Sequence, residues 1–137
     1  MKPSLEELQQ KLKAGKIHLS HQRLKVLEYL VQNQCHPTVD QIFTSLHKEI
    51  STLSKTTVYN TLRVLAEAGM VRVITIEDNE ARYDITTEDH GHFKCESCGK
   101  IYDFKIDADA LVTGDLDHFK IKDKNIYFKG VCPRCLL

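Results

Sequence analysis

Leu5, Leu8 and Leu12 recur at the three-to-four-residue interval of one helix face, behind a Ser4-Leu5-Glu6-Glu7 capping box and ahead of Gly15. A second helix is expected to start after Ser20 and end near Asn33, with Leu24, Leu27, Leu30 and Val31 as its buried stripe. Thr38-Val39-Asp40-Gln41 is another capping box, opening a short third helix with Ile42, Phe43 and Leu46 turned inward. Ser54 caps a fourth helix, through Ala68, which Gly69 closes in the left-handed position such a terminus favours. The period then changes. Val71 to Ile76 and Ala81 to Ile85, joined by a polar turn around Asp78 and Asn79, read as a β-hairpin.

Helices followed by a two-stranded hairpin make a winged helix, whose fourth helix would enter the major groove of DNA. Its early turns carry Lys55, Thr56, Thr57, Tyr59, Asn60 and Arg63, while Val58, Leu62 and Leu65 point to the core. Hydroxyls and cations suit phosphates, and an amide and a phenol suit base edges. Lys16 and Arg23 are further phosphate candidates, although an Arg early in a helix can equally brace the fold. The competing reading is a polar helix that simply faces solvent.

Charge fits the first reading. Up to Ile76 there are ten Lys/Arg against six Asp/Glu, and from Glu77 onward nine against thirteen. A basic first half suits a polyanion, and an acidic, His-containing second half suits cations. At 137 residues the chain accommodates one ordinary domain or two small ones, not a large enzyme core. No apolar run is long enough to span a membrane, and Met1-Lys2-Pro3-Ser4 opens a polar stretch unlike a signal peptide. A cytoplasmic protein with no membrane partner is expected, and there paired thiols seldom persist as structural disulfides.

That sharpens the meaning of the cysteines. Cys95-Glu96-Ser97-Cys98 and Cys132-Pro133-Arg134-Cys135 are two C-x-x-C knuckles, four thiolates for one tetrahedral Zn2+. A closed shell of four leaves no position for substrate, so this zinc is expected to be structural. The alternative is a thiol oxidoreductase, but a redox dithiol normally occurs once, at a helix start after a strand. Cys35 stands alone and reads as a small apolar residue.

Other metal-binding side chains are scattered. His90 and His92 lie two apart on a probable strand and share one face. Asp103 follows on the next strand, Asp84 ends the wing, and His36 precedes the third helix. Three His and two Asp would make a mixed nitrogen and oxygen site for Fe2+, Mn2+ or Zn2+. From these residues alone, ordinary surface His and Asp remain the plainer reading.

The order of motifs changes that balance. His21-Gln22-Arg23, His36-Pro37-Thr38, Thr57-Val58-Tyr59-Asn60-Thr61-Leu62, Gly69-Met70-Val71 and Arg82-Tyr83-Asp84 are followed by the run from His90 to Phe104 and the terminal Cys132-Pro133-Arg134-Cys135. In this order they resemble the ferric uptake regulator family from about Lys11 to the end of the chain. The resemblance implies an α+β protein: an N-terminal winged-helix DNA-binding domain over 1–85, with a hinge at its end, and a small C-terminal α/β dimerisation and metal-binding domain with an antiparallel sheet over 86–137. It implies structural Zn2+ on Cys95, Cys98, Cys132 and Cys135, and a regulatory Fe2+ or Mn2+ on His36, Asp84, His90, His92 and Asp103.

It further implies a metal-dependent repressor, not an enzyme, that binds palindromic operator DNA as a homodimer. Asp103 and Asn60 resemble the peroxide-sensing branch, where iron-uptake members usually have Glu and Arg. In that branch hydrogen peroxide oxidises a ligating histidine, here expected at His36 or His90. The alternative within the family is an iron- or zinc-uptake repressor.

Overall fold

The computed structural model describes residues 4–33, 36–77, 79–85, 90–107, 114–121 and 124–137. The chain divides into two compact units, Met1–Glu88 and Asp89–Leu137. Cys35 and Asp78, read above as a small apolar residue and a turn residue, lie outside the described residues.

The first unit contains α1 (Leu5–Ala14), α2 (His21–Gln32), α3 (Val39–His47), α4 (Lys55–Glu67), β1 (Arg72–Ile74) and β2 (Arg82–Asp84). Each helix starts where a hydroxyl side chain takes up an orphan N–H. Ser4 accepts from Glu7, Ser20 from Arg23, Thr38 from Gln41 and Ser54 from Thr57. At Thr38 the box is reciprocal, because Gln41 Oε1 accepts from the Thr38 N–H in turn. Gly69 ends α4 at φ +74°, which a side chain would oppose.

The core of this unit joins the helices to the hairpin. Leu8 and Leu12 of α1 are buried with Ile42 and Leu46 of α3, with Val58, Leu62 and Leu65 of α4, and with Tyr83 and Ile85 beyond them. The inner face of α2 differs from the expected stripe. Val26, Leu27 and Leu30 are fully buried, whereas Leu24 and Val31 are only partly so. The helix packs against α1, α3 and α4, so its buried face turns toward Val26. Phe43 is likewise half-buried, because it meets polar groups. Its ring stacks on His47 at 4.8 Å, and the Lys55 ammonium sits 5.6 Å above its centre. β1 and β2 pair antiparallel, with Val73 opposite Tyr83, over a shorter span than alternation predicts.

The second unit holds β3 (His90–Cys95), β4 (Ile101–Lys105) and β5 (Tyr127–Gly130), with a 3-10 turn at Gly114–Leu116. The strand order is β4-β3-β5. β3 and β4 are antiparallel, with His92 opposite Asp103, but β3 and β5 run parallel, with His92 beside Tyr127. The sheet is therefore mixed, a correction to the wholly antiparallel sheet expected. β4 ends, and β5 begins, at the end of the sheet where β3 starts. The twenty-one residues between Lys105 and Tyr127 are ample for that connection.

Alternation divides the side chains of this sheet. His90, His92, Asp103 and Tyr127 share one face, and Gly91, Phe93, Tyr102, Phe104 and Phe128 the other. Phe104 lies across Gly91 and stacks on Phe128 at 5.1 Å. No helix among the described residues is long and apolar enough to cross a membrane.

Candidate metal centres

The four cysteines are gathered by the sheet. Cys95 ends β3, Cys98 follows in a turn supported by Gly99 at φ +78°, and Cys132 and Cys135 lie just beyond β5. Parallel pairing sets Cys95 beside Gly130, so the second knuckle arrives next to the first. The four sulfurs lie within 4.8 Å of one another. Cys95 Sγ is 3.8 Å from Cys135 Sγ, and Cys98 Sγ is 3.9 Å from Cys132 Sγ. Tetrahedral Zn–S bonds of about 2.3 Å require sulfurs roughly 3.8 Å apart. A disulfide would need them at about 2.05 Å. The spacing is that of a zinc cage.

Electrostatics agree. The backbone N–H groups of Cys98 and Cys132 both point at Cys95 Sγ, each at 3.4 Å, and they hold that thiol down at about 6. A hydrogen bond from the Tyr102 phenol lowers Cys132, and the same bond pushes Tyr102 up to about 12. Cys135 is pushed up to about 12: the hydrogen bond with Ser97 favours its thiolate, but hydrogen bonds with the sulfurs of Cys132, Cys95 and Cys98, together with burial, favour the protonated thiol. A cation at the centre lets all four ionise together. Among described residues of this unit, Cys95 and Cys132 are the only fully buried apolar side chains. The metal centre is its core.

The nitrogen and oxygen donors are also pre-arranged, in one group per unit. In the second unit His90 and His92 stand side by side on β3, their rings 4.5 Å apart. Asp103 Oδ1 lies 3.3 Å from His92 Nε2 and 3.8 Å from His90 Nε2. His92 is 2% exposed and Asp103 39%, so this group is buried at its base and open at its carboxylate. In the first unit His36 Nε2 lies 3.9 Å from Asp84 Oδ2, and both side chains are buried. Imidazoles and carboxylates suit Fe2+, Mn2+ or Zn2+, and the burial of His36, Asp84, His90 and His92 sets them apart from ordinary surface His and Asp.

The residues picked out for DNA sort differently. Tyr59 is 53% exposed on α4, and Thr56 and Arg63 are exposed beside it, with Asn60 and Thr57 half-buried. Lys55 and Arg63 have partners within the unit. Lys55 Nζ is 2.9 Å from Asp40, and Arg63 Nη1 is 3.0 Å from Glu67. The Thr57 hydroxyl meets that of Ser54 at 3.0 Å. Lys16 is exposed after α1, and Arg23 is half-buried in the first turn of α2. The role of Tyr102 escaped the sequence reading, since its partner Cys132 is thirty positions away and no local pattern announces the bond.

The profile of the Ferric uptake regulator family matches residues 13–129. The peroxide operon regulator of Bacillus subtilis is 38% identical over 134 residues, which cover 96% of this chain and 92% of that protein. Among solved structures, PerR from Streptococcus pyogenes, described in terms of peroxide sensing and gene regulation, is 28% identical with a TM-score of 0.57. The match covers 98% of this chain and 95% of that one. The Fur protein of Helicobacter pylori, 23% identical, shares the fold with a TM-score of 0.78 over 100% of this chain and 97% of its own.

Proposed function

The chain belongs to the ferric uptake regulator family, whose members are transcription factors, not enzymes, and from that premise we propose how it senses and signals. It is a metal-dependent repressor, with a four-cysteine structural zinc site and a His/Asp regulatory site of the iron or manganese type. In our reading His36 and Asp84 from the 1–85 domain, and His90, His92 and Asp103 from the 86–137 domain, close on one regulatory ion. A ligand set split between two domains couples metal filling to their arrangement, because the ion stabilises only the closed state. Two recognition helices of a cytoplasmic homodimer then reach successive half-sites of a palindromic operator.

On the DNA, Tyr59 and Asn60 read base edges. Lys16, Arg23, Lys55, Thr56, Thr57 and Arg63 hold phosphates. The five regulatory ligands would hold Fe2+, which would supply the redox chemistry that splits the O–O bond of hydrogen peroxide, whereas Mn2+ would support DNA binding without it. In that net two-electron oxidation His36 or His90 would gain one peroxide oxygen on a ring carbon while the other leaves as water, and the altered ring, a weaker donor, would let the repressor release DNA.

The observation that carries this reading is the donor set. The imidazoles of His90 and His92 are gathered beside the Asp103 carboxylate, while all four thiolates are grouped in a separate cage. The experiment selects a duplex from a random pool with Mn2+-loaded protein, then measures binding by Fe2+- and Mn2+-loaded protein before and after peroxide. Release from the Fe2+ form alone is expected. Binding that survives peroxide in both forms would assign the chain to metal-uptake control instead.

A further inference from the structure

His36 carries an awkward backbone. Its φ is +58°, in the left-handed region that a side chain disfavours, and Pro37 follows it, restricting it further. Such a conformation persists only where neighbours hold it. β2 supplies three such contacts to this segment. Arg82 Nη1 donates to the His36 carbonyl at 3.0 Å, Tyr83 N–H donates to the Pro37 carbonyl at 3.0 Å, and Thr38 makes an isolated antiparallel bridge to Arg82. The Arg82 guanidinium is itself gripped from its other side, where Nε donates to Glu77. Both side chains are 17% exposed, so water screens this pair little. Asp84, two residues beyond Arg82 on the same strand, faces the His36 imidazole.

We infer that Arg82 is a positioning residue for the regulatory metal: anchored by Glu77, it clamps the His36 backbone so that the imidazole is presented beside Asp84. This rests on the assignment of His36 and Asp84 as regulatory ligands. The geometry explains why one short strand serves both. β2 carries one ligand directly and fixes the other through its arginine, so the pair is assembled before an ion arrives. Partners that orient a ligand without touching the metal commonly govern affinity by about 10- to 100-fold.

The test uses full-length protein with its zinc retained. Mn2+ affinity is measured, by paramagnetic resonance of the free ion, for the unaltered chain and for Arg82→Lys, Arg82→Gln, His36→Ala and both Arg82 changes combined with His36→Ala. Arg82→Lys keeps the charge opposite Glu77 but cannot reproduce the two-sided grip. Each Arg82 change is expected to weaken Mn2+ binding about 10-fold when His36 is present, and to add no loss when His36 is Ala. A general structural role would cost the same in both backgrounds, and that result overturns the inference. So does full affinity in both Arg82 variants, or loss of helical circular dichroism in both. If His36→Ala itself leaves Mn2+ affinity unchanged, the ligand assignment and the inference fall together. A loss in His36→Ala without one in the Arg82 variants removes the inference alone.

Discussion

Gly91 shows how single residues set the site. A Cβ there would sit 2.2 Å from Phe104 Cζ, and Phe104 is stacked on Phe128. Gly91→Ala is therefore expected to destabilise the second unit by about 1–3 kcal/mol, the usual cost of overpacking, in denaturant unfolding followed by β-sheet signal. Unchanged stability would mean that the aromatic face rearranges freely. The cysteines were legible because four ligands fall in two short, repeated spacings. His36, Asp84 and Asp103 were not, since each is a lone residue on a different element and gains meaning only from its neighbours. Arg82 and Tyr102 stand within recognisable stretches, yet their roles depend on His36 and Cys132, far along the chain.

At the scale of elements, local chemistry carried furthest. All four helix starts follow from a Ser or Thr one residue ahead, and α4 divides cleanly into buried Val58, Leu62 and Leu65 and an outward face led by Tyr59. On that face Asn60→Ala is expected to relax sequence preference by about 1–3 kcal/mol for a lost base contact, measured as the ratio of binding to selected and random duplexes. Equal losses on both would argue against base reading. Lys55→Ala should instead weaken all DNA and flatten the salt dependence. The exposed Lys55–Asp40 pair does not prevent this, because such pairs contribute only about 0–1 kcal/mol and a phosphate can take the ammonium over. Two element-scale features were hidden from the sequence. The inner face of α2 turns toward Val26 because three helices surround it, and the parallel β5 depends on a pairing across more than thirty residues.

Across the whole molecule the two units are stabilised in different ways. The first has an extended apolar core of leucines, isoleucines and valines. The second has two fully buried apolar residues among those described, and both are cysteines of the zinc cage. Stripping zinc with a strong chelator is therefore expected to abolish the sheet's cooperative unfolding while helical circular dichroism is largely retained. Concerted loss of both signals would show that the first unit cannot stand without the metal. Charge is divided between the halves too, with ten Lys/Arg against six Asp/Glu up to Ile76 and nine against thirteen from Glu77 onward, a balance that suits a polyanion in the first and cations in the second. The most direct test of peroxide sensing is peptide mass analysis of full-length protein after a brief exposure to hydrogen peroxide. With Fe2+ bound, one added oxygen on the peptide carrying His36 or His90, and none with Mn2+ bound, is the expected result. Unmodified histidines in the Fe2+ form, with peroxide consumed, would contradict it.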